Sequence, residues 1–167
     1  MKRLNFLFLA VALLCLATAC SNKNDKSRDE RIKEFRAELT EADTTAMLNL
    51  CDNAMEQLKA HNIDNVLSML YLYNDSTEEI MPLTEQMSKR YSKRFKMFPV
   101  LEYHRVYYSF MLEGCNDVKY EVTFASADQV GGDKPATTMY MFNPVKIGGE
   151  WKLCVKMPQD EHDENYY

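Results

Sequence analysis

The 167-residue chain lacks the signatures of three common enzyme classes. It has no G-x-S-x-G turn to expose a nucleophilic serine, no G-x-x-x-x-G-K loop to cradle phosphates, and no H-E-x-x-H pair to hold a catalytic zinc. Histidine is scarce, and His61, His104 and His162 are scattered. Cys20, Cys51, Cys115 and Cys154 stand too far apart for zinc-ligand spacing, so no structural metal and no cofactor is expected. Basic charge is also short: 20 Lys and Arg against 25 Asp and Glu give a net charge of −5, which argues against nucleic-acid binding. No apolar run reaches the roughly 20 residues that span a bilayer.

The apolar run that is present, residues 4–16 broken only by Asn5, follows Lys2 and Arg3 and precedes Ala17-Thr18-Ala19. That is the layout of a secretion signal with small residues at its cleavage site. Release of a soluble protein at an ordinary A-x-A site is one outcome. The cysteine placed directly after Ala19 favours another, because a small residue before a cysteine resembles the bacterial lipobox. The resemblance implies acylation of Cys20, which becomes the mature N-terminus. At about 0.8 kcal/mol per buried methylene, two or three acyl chains hold a protein on a membrane permanently. The expected location is the bacterial cell envelope, lipid-anchored on its periplasmic or cell-surface side.

Removing the signal, residues 1–19, leaves one domain's worth of chain. Residues 20–28 read as a tether, polar after Cys20, whose eight residues 21–28 span about 15 Å as random coil. A single α+β domain is expected over residues 29–158, and the acidic stretch 159–167 (Q-D-E-H-D-E-N-Y-Y) reads as a disordered tail. Within the domain, Ile32, Phe35 and Leu39 form one helical stripe from Asp29. Met47, Leu50, Cys51, Ala54 and Leu58 form a second, capped by Asp43 or Thr44 and ended by His61-Asn62. Asp64 caps a shorter helix through Val66, Leu67, Leu70 and Tyr71, with a loop over residues 74–77. Pro82 suits the first turn of the next, where Leu83, Met87, Tyr91 and Phe95 recur every four residues up to Phe98-Pro99. Its other side carries the one basic cluster, K-R-Y-S-K-R-F-K at residues 89–96, a solvated face or a contact for anionic headgroups or an acidic partner.

Beyond Pro99 the period becomes two. Val106, Tyr108, Phe110 and Leu112 share one side of a strand, and Val118, Tyr120, Val122 and Phe124 one side of the next. Both sides reach the core only with even pairing parity, which predicts a loop of three or five residues around Gly114-Cys115-Asn116. Gly148-Gly149 is a two-residue turn pairing Ile147 with Glu150, which puts Trp151, Leu153, Val155 and Met157 beside Lys146, Pro144, Phe142 and Tyr140. Cys154 then lies opposite Asn143, two strands from Cys115 and too far for a disulfide.

Helices first, then a curved antiparallel meander of four strands closing in G-G-E-W-K-L, with H-N-I-D-N-V-L-S-M-L after the long second helix, resembles the nuclear transport factor 2-like superfamily. These are the cystatin-like, cone-shaped α+β domains. The resemblance covers roughly residues 40–157. It implies a cavity between helices and sheet, used by some members for isomerase or hydrolase chemistry and by many others only for binding. A short strand that many members carry between helices is not evident.

Even parity places His104 near Ser126 and Glu102 near Asp128, at the mouth of the cone, with Tyr71 or Tyr73 reaching over. Glu102 and His104 are then either an acid/base pair or the polar end of a strand leaving the core. Tyr108, Tyr120 and Ser126 complete the expected ligand-lining set. On the opposite face Leu101, Tyr103, Tyr107 and Met111 form an apolar strip that a second copy or a protein partner could cover. Three functions follow: a non-catalytic envelope lipoprotein whose cone-shaped domain binds a small apolar ligand or a protein partner; a structural interaction protein that dimerises through the outer sheet face; and an isomerase- or hydrolase-type enzyme.

Overall fold

The computed structural model describes residues 26–74 and 77–155. The signal stretch 1–19, Cys20, Met157 and the acidic tail 159–167 lie outside the described residues. The described residues divide into two units, with the boundary between Arg31 and Ile32. The boundary falls inside the first helix, α1 (Arg28–Glu38). In the first unit the Glu30 carboxylate accepts from the Ser27 N–H at 2.9 Å and Ser27 Oγ accepts from the Glu30 N–H at 3.3 Å, a reciprocal capping exchange. In the second, Ile32 and Phe35 are buried as their spacing predicts.

Helix α2 (Glu41–Lys59) begins ahead of the expected cap. Its N-cap is Thr40, whose hydroxyl accepts from the Asp43 N–H at 3.1 Å while Asp43 Oδ2 accepts from the Thr40 N–H at 3.0 Å. Asp43 is therefore the inner partner of a capping box. Lys146 Nζ, 2.6 Å from Asp43 Oδ1, and the Thr40 bonds hold that carboxyl well below the usual carboxylate range. Met47, Cys51, Ala54, Met55 and Leu58 form the buried face of α2. Helix α3 (Ile63–Met69) follows, with Asn62 at its N-cap instead of Asp64.

Leu70 and Tyr71 do not extend α3. They open β1 (Leu70–Asn74), which pairs antiparallel with β2 (Glu79–Pro82). The short strand missing from the sequence reading is thus present. Pro82 ends an edge strand, where a missing N–H is tolerated, and helix α4 (Glu85–Met97) starts instead from Thr84, whose hydroxyl accepts from the Met87 N–H at 3.2 Å.

The remaining strands are β3 (Glu102–Leu112), β4 (Cys115–Ala125), β5 (Ala136–Ile147) and β6 (Glu150–Val155), with a single turn of helix, α5 (Ala127–Val130), after β4. The sheet has six strands in the order β2-β1-β6-β5-β4-β3, which corrects the expected four-stranded antiparallel meander. The last four strands do meander. The β1–β2 hairpin then adds to the far side of β6 through parallel pairing, Leu70 with Leu153 and Leu72 with Val155.

The β5–β6 hairpin has the expected register, with Ile147 opposite Glu150, Lys146 opposite Trp151, Pro144 opposite Leu153, and Asn143 opposite Cys154. Gly148 and Gly149 adopt φ of 59° and 85°, the positive values a two-residue hairpin turn requires. The β3–β4 connection differs from expectation: Leu112 faces Cys115, so its loop is Glu113-Gly114 alone. A register shift between Phe110 and Leu112 restores even parity for Tyr108 opposite Val118 and Phe110 opposite Asn116. A second shift, at Val106, reverses it again, so that Tyr103 and Arg105 face Val122 and Tyr120. Val106, expected in the core, is 47% exposed.

The main core lies between the helices and one sheet face. Met47, Cys51, Met55 and Leu58 of α2 pack with Leu70, Leu72, Val118, Tyr120, Val122, Phe142, Leu153 and Val155. On the reverse face a smaller cluster holds Tyr73, Val145 and Cys154, with Tyr71 and Ile80 against it. No disulfide joins Cys51, Cys115 or Cys154. The sheet curls strongly, because the ring of Tyr73 on β1 packs against Gly114 in the β3–β4 turn. At about 4.8 Å per strand, β1 and β4 of a flat sheet stand roughly 14 Å apart.

Candidate functional site

The structure separates most of the expected site residues. Glu102 and His104 sit on the outer face of edge strand β3, opposite Thr123 and Glu121, and not near Asp128 and Ser126. His104 is 67% exposed, with Nε2 3.8 Å from Glu121 Oε1. The Val106 register shift is the cause, since it turns every preceding side chain of β3 to the other face. Tyr71 and Tyr73 lie on the reverse face of the sheet, beside Cys154, and do not reach over the cone. Ser126 caps α5 through Gln129. Tyr108 is 46% exposed at the sheet edge, its ring edge-on to Phe110. Of the set only Tyr120 is fully buried, with its hydroxyl on a carboxylate.

That carboxylate belongs to a cluster the sequence reading missed. Asp52 and Glu56 stand one turn apart on α2, on the flank of the stripe that buries Cys51 and Met55. Tyr120 donates to Asp52 Oδ1 at 2.6 Å, Arg105 Nη2 lies 2.8 Å from Asp52 Oδ2, and Tyr103 donates to Glu56 Oε1 at 2.5 Å. The two tyrosine rings meet edge to face at 5.8 Å. Burial, then the bond to a carboxylate, pushes both hydroxyls well above the usual phenol value. They remain protonated donors at any physiological pH. The Asp52–Arg105 pair is about a third exposed on each side, so its worth is that of a partly screened ion pair, roughly 0.5–1 kcal/mol. Tyr140 closes the same layer further along: burial pushes its hydroxyl up to about 12, and it donates to the Phe98 carbonyl at 2.6 Å. Such a set clasps helix to sheet; each carboxylate is matched to a donor that does not give up its proton.

The thiols behind this layer are inert, with burial pushing Cys51 well above the usual range and Cys154 up to about 12. Among the described residues no three His, Cys, Asp or Glu side chains group as a metal ion requires.

Between helices and sheet, Met47, Met55 and Tyr120 are completely buried. Two concavities lie at the surface, on either side of the N-terminal half of α2. One, of about 400 Å³, runs between Arg36, Leu39 and Thr40 and the edge strand at Tyr108 and Phe110. Arg36 Nε donates across it to the Phe110 carbonyl at 2.6 Å, closing that part of the free edge. The other, of about 640 Å³, lies between α2 and the β5–β6 turn. Ala42, Ala46 and Gly149 leave its room, Leu50 and Trp151 give it an apolar floor, and Asn49 and Asn53 offer amides along one wall. Trp151 is the only tryptophan of the chain, and its buried indole N–H has no acceptor. A buried donor left unpaired costs about 1–3 kcal/mol.

No family model and no curated protein matches the chain. Solved structures similar to it include a cystatin-like-fold protein of unknown function from Nostoc punctiforme, at 16% identity and a TM-score of 0.45, covering 72% of this chain and 96% of that one. An NTF-2 like protein of unknown function from Shewanella oneidensis shares 11% identity at a TM-score of 0.41, covering 68% and 98%.

Proposed function

We propose that this is a non-catalytic binding domain of the bacterial cell envelope, anchored to the membrane through acylated Cys20, and that it holds an apolar ligand or an apolar side chain of a protein partner in the groove between α2 and the β5–β6 turn. The observation that carries the reading is the lining of that groove: Leu50 and Trp151 give it an apolar floor, and the small Ala42, Ala46 and Gly149 leave room above it. The enzyme alternative loses its support, because Glu102 and His104 stand on the outer face while Asp52 and Glu56 are matched to tyrosines. Trp151, being the only tryptophan, reports on the groove directly. Titration with the apolar dye 1-anilinonaphthalene-8-sulfonate is expected to quench Trp151 emission saturably at one dye per chain, and Ala46→Phe, which fills the groove from an exposed position, is expected to abolish the effect. Quenching that never saturates, or that survives Ala46→Phe, would sink the proposal.

A second reading, self-association through the outer sheet face, rests on exposed Tyr107 and Met139, 42% and 39% accessible, beside an open edge strand. The strip is shorter than the sequence suggested. Tyr103 turns inward to Glu56, and Met111 is partly buried with its sulfur near Arg36. Tyr107→Glu is expected to lower the mass seen by light scattering and leave the fold intact; a wild-type chain that is already monomeric at tens of micromolar refutes this reading.

A further inference from the structure

Helix α4 concentrates charge of one sign on a protein of the other. Its 13 residues hold five of the chain's 20 basic residues and one of its 25 acidic ones. Met87 and Phe95 are buried and Tyr91 half-buried, which fixes the inward face. At 100° per residue Lys89, Lys93 and Lys96 fall within about 60° of one another on the side away from it. All three are exposed. Lys89 is paired with Glu85 at 2.6 Å, whereas Lys93 and Lys96 have no ion-pair partner among the described residues. Arg94 is engaged elsewhere, donating to the Met139 carbonyl at 3.0 Å and lying over the Tyr140 ring. The helix dipole accounts for cations in the last turn but not for Lys89 and Lys93 further back. Immediately after the stripe come two exposed apolar side chains, Met97 at 54% and Leu101 at 39%. Neither of the two surface grooves includes a residue of α4.

We infer that the outward face of α4 docks on an anionic lipid surface, with Lys93 and Lys96 at the headgroups and Met97 and Leu101 entering the interface. A basic amphipathic helix with apolar residues at its rim has the composition of an interfacial helix. Several flexible lysine point charges on one helix face suit a planar field of phosphates. The inference rests on the proposed anchor in one respect: a lipid at Cys20 would keep the helix within reach of the membrane, so that modest affinity suffices. Docking in turn would give the tethered domain a fixed face toward the bilayer.

The test uses the mature chain from residue 20 carrying Cys20→Ser, so that no acyl chain contributes. It is expected to co-sediment with phosphatidylcholine vesicles containing about one-third phosphatidylglycerol, and not with pure phosphatidylcholine. Each lysine near such a surface contributes about a fivefold factor in partitioning, so Lys93→Gln with Lys96→Gln is expected to lower binding roughly 25-fold, at unchanged melting temperature. Lys59→Gln with Lys134→Gln changes net charge equally at exposed sites elsewhere and is expected to leave binding nearly intact. Equal losses in the two double variants, or no binding to the anionic vesicles, overturn the inference. So does binding to soluble polyglutamate without binding to vesicles, which would make the partner an acidic protein. Mass spectrometry of Cys20 from native membranes tests the anchor separately: an unmodified cysteine with intact vesicle binding refutes the anchor and leaves the docking face standing.

Discussion

Gly114→Ala is expected to cost about 3 kcal/mol of unfolding free energy, the upper end for an overpacked core, although it adds a single methyl group. Gly114 is buried in the two-residue β3–β4 turn, and a Cβ built on it falls far inside van der Waals distance of Tyr73 Cε1, Cζ and Oη. No real Cβ contact is that short, so ring or turn must move. Neither moves freely. Tyr73 is 8% exposed and packs with Val145 and Cys154, while the turn is held by Lys146 N–H donating to the Glu113 carbonyl at 3.1 Å and Asn143 Nδ2 donating to the Gly114 carbonyl at 3.0 Å. The contact also joins β1 to a turn three strands away, so displacing it uncurls the sheet. Urea denaturation of the four members of a Gly114→Ala, Tyr73→Leu cycle checks the account. The glycine substitution should cost at least about 1 kcal/mol less when the ring is absent; strictly additive effects would show that the ring is not what the methyl group meets.

How much of this could be read in the sequence depends on the range of the interactions that decide it. The helical stripes of α1, α2 and α4 were legible because a period of three to four with one buried face is a local property. So was the β5–β6 register, since Gly148-Gly149 fixes it within two residues. The β1 strand was not, because Leu70-Tyr71-Leu72-Tyr73 follows a helix directly and its pairing partner, β6, lies some eighty residues on. The face of β3 was misread for a different reason. Strict alternation predicts Val106 inside and Tyr103 outside, and the residue inserted at the Val106 shift reverses both.

The same shift decided the fate of the candidate site. It carried Glu102 and His104 to the outer face and brought Arg105 to Asp52, so a one-residue irregularity changed which charged groups meet. The signal for the real cluster was available on α2, where two carboxylates four residues apart border a buried stripe, but their partners come from strands about fifty and seventy positions away. The groove at Trp151 was legible only in half. Lys146 opposite Trp151 followed from the hairpin, whereas the α2 wall of Ala42, Ala46 and Asn49 depends on how helix packs on sheet.

Asn116→Ala is expected to be the other severe substitution, at roughly 2–5 kcal/mol. The sequence places Asn116 beside Gly114 in what reads as a polar loop, yet the residue is completely buried. Its side chain uses both ends: Oδ1 accepts from the Met111 N–H at 3.0 Å, and Nδ2 donates to the Pro144 carbonyl at 2.9 Å and to the Glu113 carbonyl at 3.4 Å. Its backbone N–H donates to Asn143 Oδ1 at 2.9 Å, and Asn143 returns a bond to the turn through Nδ2. Truncation to alanine removes the acceptor for Met111 and the donor for Pro144 together, leaving two buried backbone groups to pay about 1–3 kcal/mol each, besides the void. At the entropy of unfolding of a domain this size the melting temperature should fall by roughly 10 °C. Asn143→Ala should also destabilise, and the double variant should lose less than the sum, because both asparagines serve the same turn. A loss below about 1 kcal/mol for Asn116→Ala would mean that water enters and satisfies the freed groups. The bonds of Asn116 would then not be what holds the β3–β4 turn against β5 and, with it, Gly114 under the ring of Tyr73.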